Sequence, residues 1–138
     1  DLGLLSLKPL DELRKYNLVL GEEKIVCQAE QEALNLRYRL RIANYMFGGI
    51  PKHPFLRRIM DEMAERATII LKSQQEILDI TGPGLLTDTY WDNYGMYPDI
   101  TLLRNTDKRC RQPYHNEISC HFGDYAAHLH AGTWRTGI

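Results

Sequence analysis

Short apolar runs at the two ends of this chain enclose one long amphipathic stretch. The opening run through Leu4, Leu5 and Leu7 predicts the end of a buried strand, and Leu18-Val19-Leu20 within residues 17–23 predicts a second. Between them, Pro9 heads residues 10–15 as the first turn of a short helix, with Asp11 and Glu12 near its positive end. Residues 28–40 are polar and arginine-rich without a clean period. Residues 41–47 predict a strand stopping at Gly48-Gly49, followed by a turn through Pro51 and Pro54. From there Phe55, Ile59, Met60, Met63, Ala67, Ile70 and Leu71 recur at three- and four-residue spacing. Arg57, Arg58, Asp61, Glu62, Glu65 and Arg66 fill the opposite face, which predicts an amphipathic helix packed on a sheet. Glu62 and Arg66, four residues apart, read as a solvated pair on that face.

A second short helical turn is expected over residues 73–79. It must end at Thr81-Gly82-Pro83-Gly84, because proline lacks an amide hydrogen and both glycines favour turn geometry. Residues 85–91 can restart a helix, with backbone amides and the hydroxyls of Thr81, Thr87 and Thr89 gathered at its entry. That arrangement suits a sugar or a phosphate; it also suits a plain connector. Tyr90 and Trp91 read as core aromatics or as a stacking platform for an acceptor sugar. Beyond a turn-rich stretch, residues 99–103 predict a strand, residues 105–124 a long polar loop, and residues 125–130 a last strand. Strands alternating with helices give an α/β class, in about one domain over residues 1–138.

Composition narrows the function classes. The 138 residues are 43% hydrophobic and 25% charged with a formal net charge of −1, so no general attraction to nucleic acid or an anionic surface is expected. No apolar run reaches the roughly twenty residues of a membrane span. Asp1 stands where an initiator methionine would, so the expectation is of a fragment or processed product, with any membrane anchor outside it. Cys27, Cys110 and Cys120 form no Cys-x-x-Cys pair; Cys110 and Cys120 could bridge in an oxidising compartment, but buried or idle thiols are the first reading. His53, His115 and His121 read as surface residues. No Gly-x-Ser-x-Gly elbow supports a hydrolase.

Four motifs in order carry a resemblance: Asp1 with Lys8-Pro9-Leu10-Asp11, then Gly49-Ile50-Pro51-Lys52-His53-Pro54-Phe55, then Thr81-Gly82-Pro83-Gly84-Leu85-Leu86-Thr87, then His128-Leu129-His130-Ala131-Gly132-Thr133-Trp134. Over nearly its whole length the chain resembles the DXD-containing glycosyltransferases of the inositol-phosphoceramide mannosyltransferase group. The resemblance implies the C-terminal portion of a GT-A type fold, a mixed sheet flanked by helices. It implies a retaining hexosyltransferase that moves mannose or a similar hexose from a nucleotide sugar to a glycan or glycolipid acceptor. Relatives work in the Golgi lumen in eukaryotes and in the cytoplasm in bacteria, and the sequence does not choose between them.

Carried over residue by residue, the resemblance makes Asp1, His128 and His130 ligands of Mn²⁺ or Mg²⁺. Asn44, Thr81, Gly82, Pro83, Gly84, Thr133 and Trp134 become substrate-binding, and Asp88 and His128 catalytic. Asp1 matches the first acid of the family's Asp-x-Asp, and Gly3 stands where the second belongs, which lowers the expected metal affinity. Leu129 takes the place of the family's second histidine. The alternative from another class is a non-catalytic remnant or carbohydrate-binding module of the same fold.

Overall fold

The computed structural model describes residues 3–105 and 120–129. In order, the elements are β1 (Leu4–Ser6), a 3₁₀ turn (Asp11–Lys15), β2 (Leu18–Ile25), α1 (Gln28–Ala33), β3 (Leu40–Gly49), α2 (Pro54–Arg66), α3 (Gln74–Ile80), α4 (Pro83–Asp92), β4 (Ile100–Leu103), β5 (Cys120–Phe122) and β6 (Ala126–His128). The class is mixed α/β. The strands form two small sheets, ordered β1-β6-β5 and β3-β2-β4. The first is antiparallel throughout; in the second, β2 runs antiparallel to β3 and parallel to β4.

Strand β2 sits at the centre because both its faces are apolar at the right parity. Leu18 and Leu20 point to one side and join Ile42, Phe55 and Leu86 in a cluster beneath the helices. Val19 points to the other and joins Phe122 and Ala126, from the β5–β6 hairpin. Gly21 continues this second face, where an added Cβ would lie 2.5 Å from the Phe122 ring. The glycine therefore admits the aromatic ring that docks the second sheet.

Strand β3 is an edge of its sheet, and α4 covers that edge. The Thr87 hydroxyl accepts from the Ile42 amide at 2.9 Å, and the Trp91 indole N–H donates to the Leu40 carbonyl at 2.9 Å. Backbone groups that would face another chain are satisfied by side chains of the neighbouring helix. Gly84 lets α3 and α4 approach, since a Cβ there would lie 2.2 Å from the Asp79 Cα.

Several expectations are corrected. α2 ends at Arg66 instead of running on through Leu71, and only Phe55 along it is fully buried, with Leu56 and Ile59 packed against the cluster. Met60, Met63 and Ile70 are 62, 51 and 81% exposed, because the helix meets the sheet only at its first turns. The Glu62 and Arg66 side chains are 16 and 18% exposed, and so are not a solvated pair; Arg66 reaches Asp88 of α4. His53 is buried, not a surface residue. Its Nδ1 accepts from the Phe55 amide at 3.2 Å as the cap of α2, and its Nε2 lies 3.3 Å from Asp99 Oδ1. α4 begins at Pro83 instead of residue 85, consistent with proline's fitness for a first helical position. β3 runs through Gly48-Gly49, which pair with Val19 and Leu18. β5 occupies the end of the expected polar loop. Cys27 is a free, exposed thiol, its Sγ accepting from the Glu30 amide at 3.4 Å as the cap of α1. Cys110 and His115 lie outside the described residues.

Thr87→Val would leave the Ile42 amide without its acceptor, and a loss of about 1–3 kcal/mol is expected in urea unfolding. Gly84→Ala should cost at least as much, roughly 1–3 kcal/mol or more through overpacking. A Thr87→Val protein as stable as the parent would overturn the account of the covered edge.

Candidate functional site

The predicted residues fall into two neighbourhoods. Around Asp88, four elements bring charges together. Arg66 of α2 donates to Asp88 Oδ2 at 3.3 Å and to the Asp79 carbonyl at 3.4 Å, and its Nε lies 3.7 Å from Glu62. Glu62 also pairs with Arg58. Buried Arg41 of β3 donates to Asp79 Oδ1 at 3.1 Å, and Gln75 holds the other oxygen of that carboxylate at 2.8 Å. Arg37 lies 3.9 Å from Asp88 and forks onto Asp92 at 2.7 and 2.6 Å, with the Tyr38 hydroxyl on the same carboxylate at 2.6 Å.

Asp88 is poorly exposed, and this burial pushes its carboxyl above the ordinary 3.8 in spite of Arg37 and Arg66. For Asp92 burial also pushes upward, but the bonds from Arg37 and Tyr38 outweigh it, and the carboxyl sits below 3.8. The arginines are spent on structure, joining α2, α3, α4 and the approach to β3.

The Thr81–Gly84 corner adjoins this network, and its hydroxyls are spent too. Thr81 donates to the Ile77 carbonyl at 2.7 Å, Thr87 to Pro83 at 2.6 Å and Thr89 to Leu85 at 2.8 Å, and Thr87 and Thr89 are buried. They are not gathered at the helix entry, because each turns back onto its own helix. Gly82 caps α4 without a side-chain bond, Pro83 takes its first turn, and Gly84 is buried against α3. Trp91 has given its N–H to β3, and its ring lies 5.0 Å from Tyr90 and 5.3 Å from Tyr94. Tyr90 packs against the core cluster, as the core reading has it, and also walls a small cavity of about 230 Å³ with Asn93, Tyr94 and Tyr97.

The second neighbourhood lies across the sheet. His128 ends β6, and its ring stacks on Tyr45 with centroids 4.5 Å apart and planes 12° from parallel. Burial lowers its pKa below the ordinary 6.5, so the imidazole is neutral at pH 7. Tyr45 and exposed Asn44 belong to a bulge, where β3 carries residues 44–47 opposite Leu20 alone. β1 lies antiparallel to β6 with Leu4 opposite His128, and the Leu129 amide donates to the Gly3 carbonyl at 2.8 Å.

Asn44 lies exposed in the β3 bulge next to Tyr45, which stacks on His128, while Thr81, Gly82, Pro83, Gly84 and Asp88 belong to the α3–α4 corner. Asp88 and His128 do not share a cluster. Asp1, His130, Thr133 and Trp134 lie outside the described residues. Among the described residues no three His, Cys, Asp or Glu side chains converge as metal ligands. None of these helices is long and apolar enough to cross a membrane. Sequence reasoning missed Arg37, Tyr38 and Arg41 as partners of the acids; for Arg37 and Tyr38 their place in an aperiodic polar stretch was the available signal, and for Arg41 a charge inside a predicted strand.

No protein-family model, no curated protein and no solved structure matches this chain.

The two aspartates predict opposite pH behaviour. Asp88 protonates more readily folded than unfolded, so acidification through its raised pKa toward 3.8 adds stability. Asp92 protonates less readily folded, so the stability it supplies is lost as pH falls from 3.8 through its lowered pKa. Asp88→Asn is therefore expected within about 1 kcal/mol of the parent at pH 7, and Asp92→Asn about 1 kcal/mol less stable with a flatter acid limb. Urea unfolding at pH 7 and at graded acid pH reads both; a costlier Asp88→Asn would overturn the assignment.

Proposed function

We propose that this chain is the C-terminal portion of a GT-A type catalytic domain, acting as a metal-assisted, retaining hexosyltransferase that moves mannose or a similar hexose from a nucleotide sugar to a glycan or glycolipid acceptor. One observation carries the reading: β1 and β6, far apart in sequence, are paired neighbours with Leu4 opposite His128. The acid-led opening of the chain and the histidine near its end are the pieces that the resemblance assigns to a single cation.

His128 suits that role in its own right. Its burial disfavours the protonated ring, the form that cannot ligate a metal, and the Tyr45 stack restrains its orientation. Asp1 and His130 would complete the set, with Mn²⁺ or Mg²⁺ neutralising charge on the diphosphate as it leaves. Asn44, exposed beside Tyr45, can offer its amide to sugar hydroxyls, and Trp134 its indole N–H to a phosphate oxygen. Asp88 supports this reading indirectly, as a positioning residue that ties α4 to α2 through Arg66. A carbohydrate-binding role without turnover is the second reading, favoured by Gly3 in the position of the family's second acid.

The test is release of nucleoside diphosphate from nucleotide sugars by the full-length protein, with and without Mn²⁺. Metal-dependent release is expected, falling about 100- to 1,000-fold in His128→Ala, the scale of losing one contact to developing charge. Turnover that ignores both the metal and His128→Ala would overturn the proposal. Saturable glycan binding with no turnover would establish the second reading.

A further inference from the structure

Neither neighbourhood uses a second cavity, on the far side of β2 from the helices. It is a cleft of about 560 Å³ between the 3₁₀ turn, the far end of β3 and β5, within the size range of small-molecule sites. Val19, Met46 and Phe122 line it, and Leu10, Phe47 and Ile50 stand at its walls, 43, 54 and 45% exposed.

Two features of β3 keep this space open. Gly48 is paired with Val19, so a side chain there would stand on the same face as Val19, and an added Cβ meets nothing within 4 Å. The glycine leaves out the group that would fill the cleft. The bulge over residues 44–47 carries Met46 and Phe47 beyond the line of the ladder as a wall.

The single charged residue of the lining is Arg14, which is exposed and makes no ion pair or hydrogen bond among the described residues. Its neighbours are engaged. Lys8 pairs with Glu12 at 3.8 Å, Glu12 also accepts from the Tyr125 hydroxyl at 2.9 Å, and Lys15 lies over the Tyr16 ring. An apolar cleft with an uncompensated guanidinium at its side is complementary to a molecule that is apolar along most of its length and anionic at one end.

We propose that this cleft binds a soluble single-chain anionic amphiphile, its alkyl or aryl body over Val19, Met46 and Phe122 and its carboxylate or phosphate on Arg14. The site is independent of the transferase reading, because binding is measured without donor or metal.

Calorimetry on the full-length protein, with decanoate and decyl phosphate as probes and decyltrimethylammonium as the charge-reversed control, tests it. Saturable binding of an anionic probe is expected, about tenfold or more tighter than the cationic control and weakened about tenfold by Arg14→Gln. Gly48→Leu should abolish binding with the circular dichroism spectrum unchanged. Should that variant fail to fold, Phe47→Ser, which alters an exposed wall, should weaken binding in its place. Absence of saturable binding, equal affinity for both charges, or affinity unchanged in Arg14→Gln and Phe47→Ser would overturn the proposal. So would capture by phosphatidylserine vesicles without binding of either soluble anion, which would make the cleft part of a membrane-facing surface.

Discussion

The free edge of β3 is the constraint around which the described residues are arranged. An edge strand exposes amides and carbonyls that must find partners, and here α4 provides them through Thr87 on Ile42 and Trp91 on Leu40. Two such bonds, one helical turn apart, fix both the direction of α4 and its register along the strand. With that register set, Leu86 drops onto Leu18 and Leu20, Gly84 meets α3, and Asp88 is turned toward α2. The same constraint buries Gly84, Leu85, Leu86, Thr87 and Thr89 around much of α4, so its sequence shows no single apolar stripe.

Between the helices, charge does part of what apolar packing was expected to do. α2 buries Phe55 and touches the core through Leu56 and Ile59, then departs from the sheet and meets α4 through Arg66, which Glu62 holds from within α2. Such a seam stabilises little per pair when wet, and its desolvation offsets part of the attraction, as the raised Asp88 pKa records. Its geometry is nonetheless demanding, since Asp79, Asp88 and Asp92 each hold a guanidinium from another element. Specific orientation of α2, α3 and α4 is what the network supplies.

How much was legible in the sequence follows from which forces were local. Apolar runs and proline–glycine punctuation located β1, β2, β3, β4, β6, α2, α3 and α4 to within a few residues, because period and turn chemistry act over short spans, whereas α1 lies in the polar stretch that showed no period. The failures were all long-range. Periodicity showed two faces on α2 but not how far each meets a neighbour, and Asp88 of α4 draws Arg66 out of the face expected to be solvated. His53 read as a turn residue because nothing local shows that Phe55 needs its cap or that Asp99 approaches it. The three threonine hydroxyls looked available for a ligand until tertiary partners and helix carbonyls absorbed them. On the candidate site, sequence supplied His128 and Asn44, while the stacking of Tyr45 on His128 and the cleft at Gly48 needed the bulge in β3. Asp88 was legible as an unusual acid but not as one engaged by two arginines.

The pairing of β1 with β6 has a kinetic meaning. A strand near the start of the chain is completed by one more than a hundred positions later, a contact of very high sequence separation, so loop closure must come before it yields any stabilisation. During synthesis the β3-β2-β4 sheet and its covering helices can assemble first, while β1 keeps an unpaired edge until the β5–β6 hairpin has been made. The sheet that carries His128 then closes after the one beneath the helices, and in that interval β1 is open to proteases and to pairing with a second nascent copy.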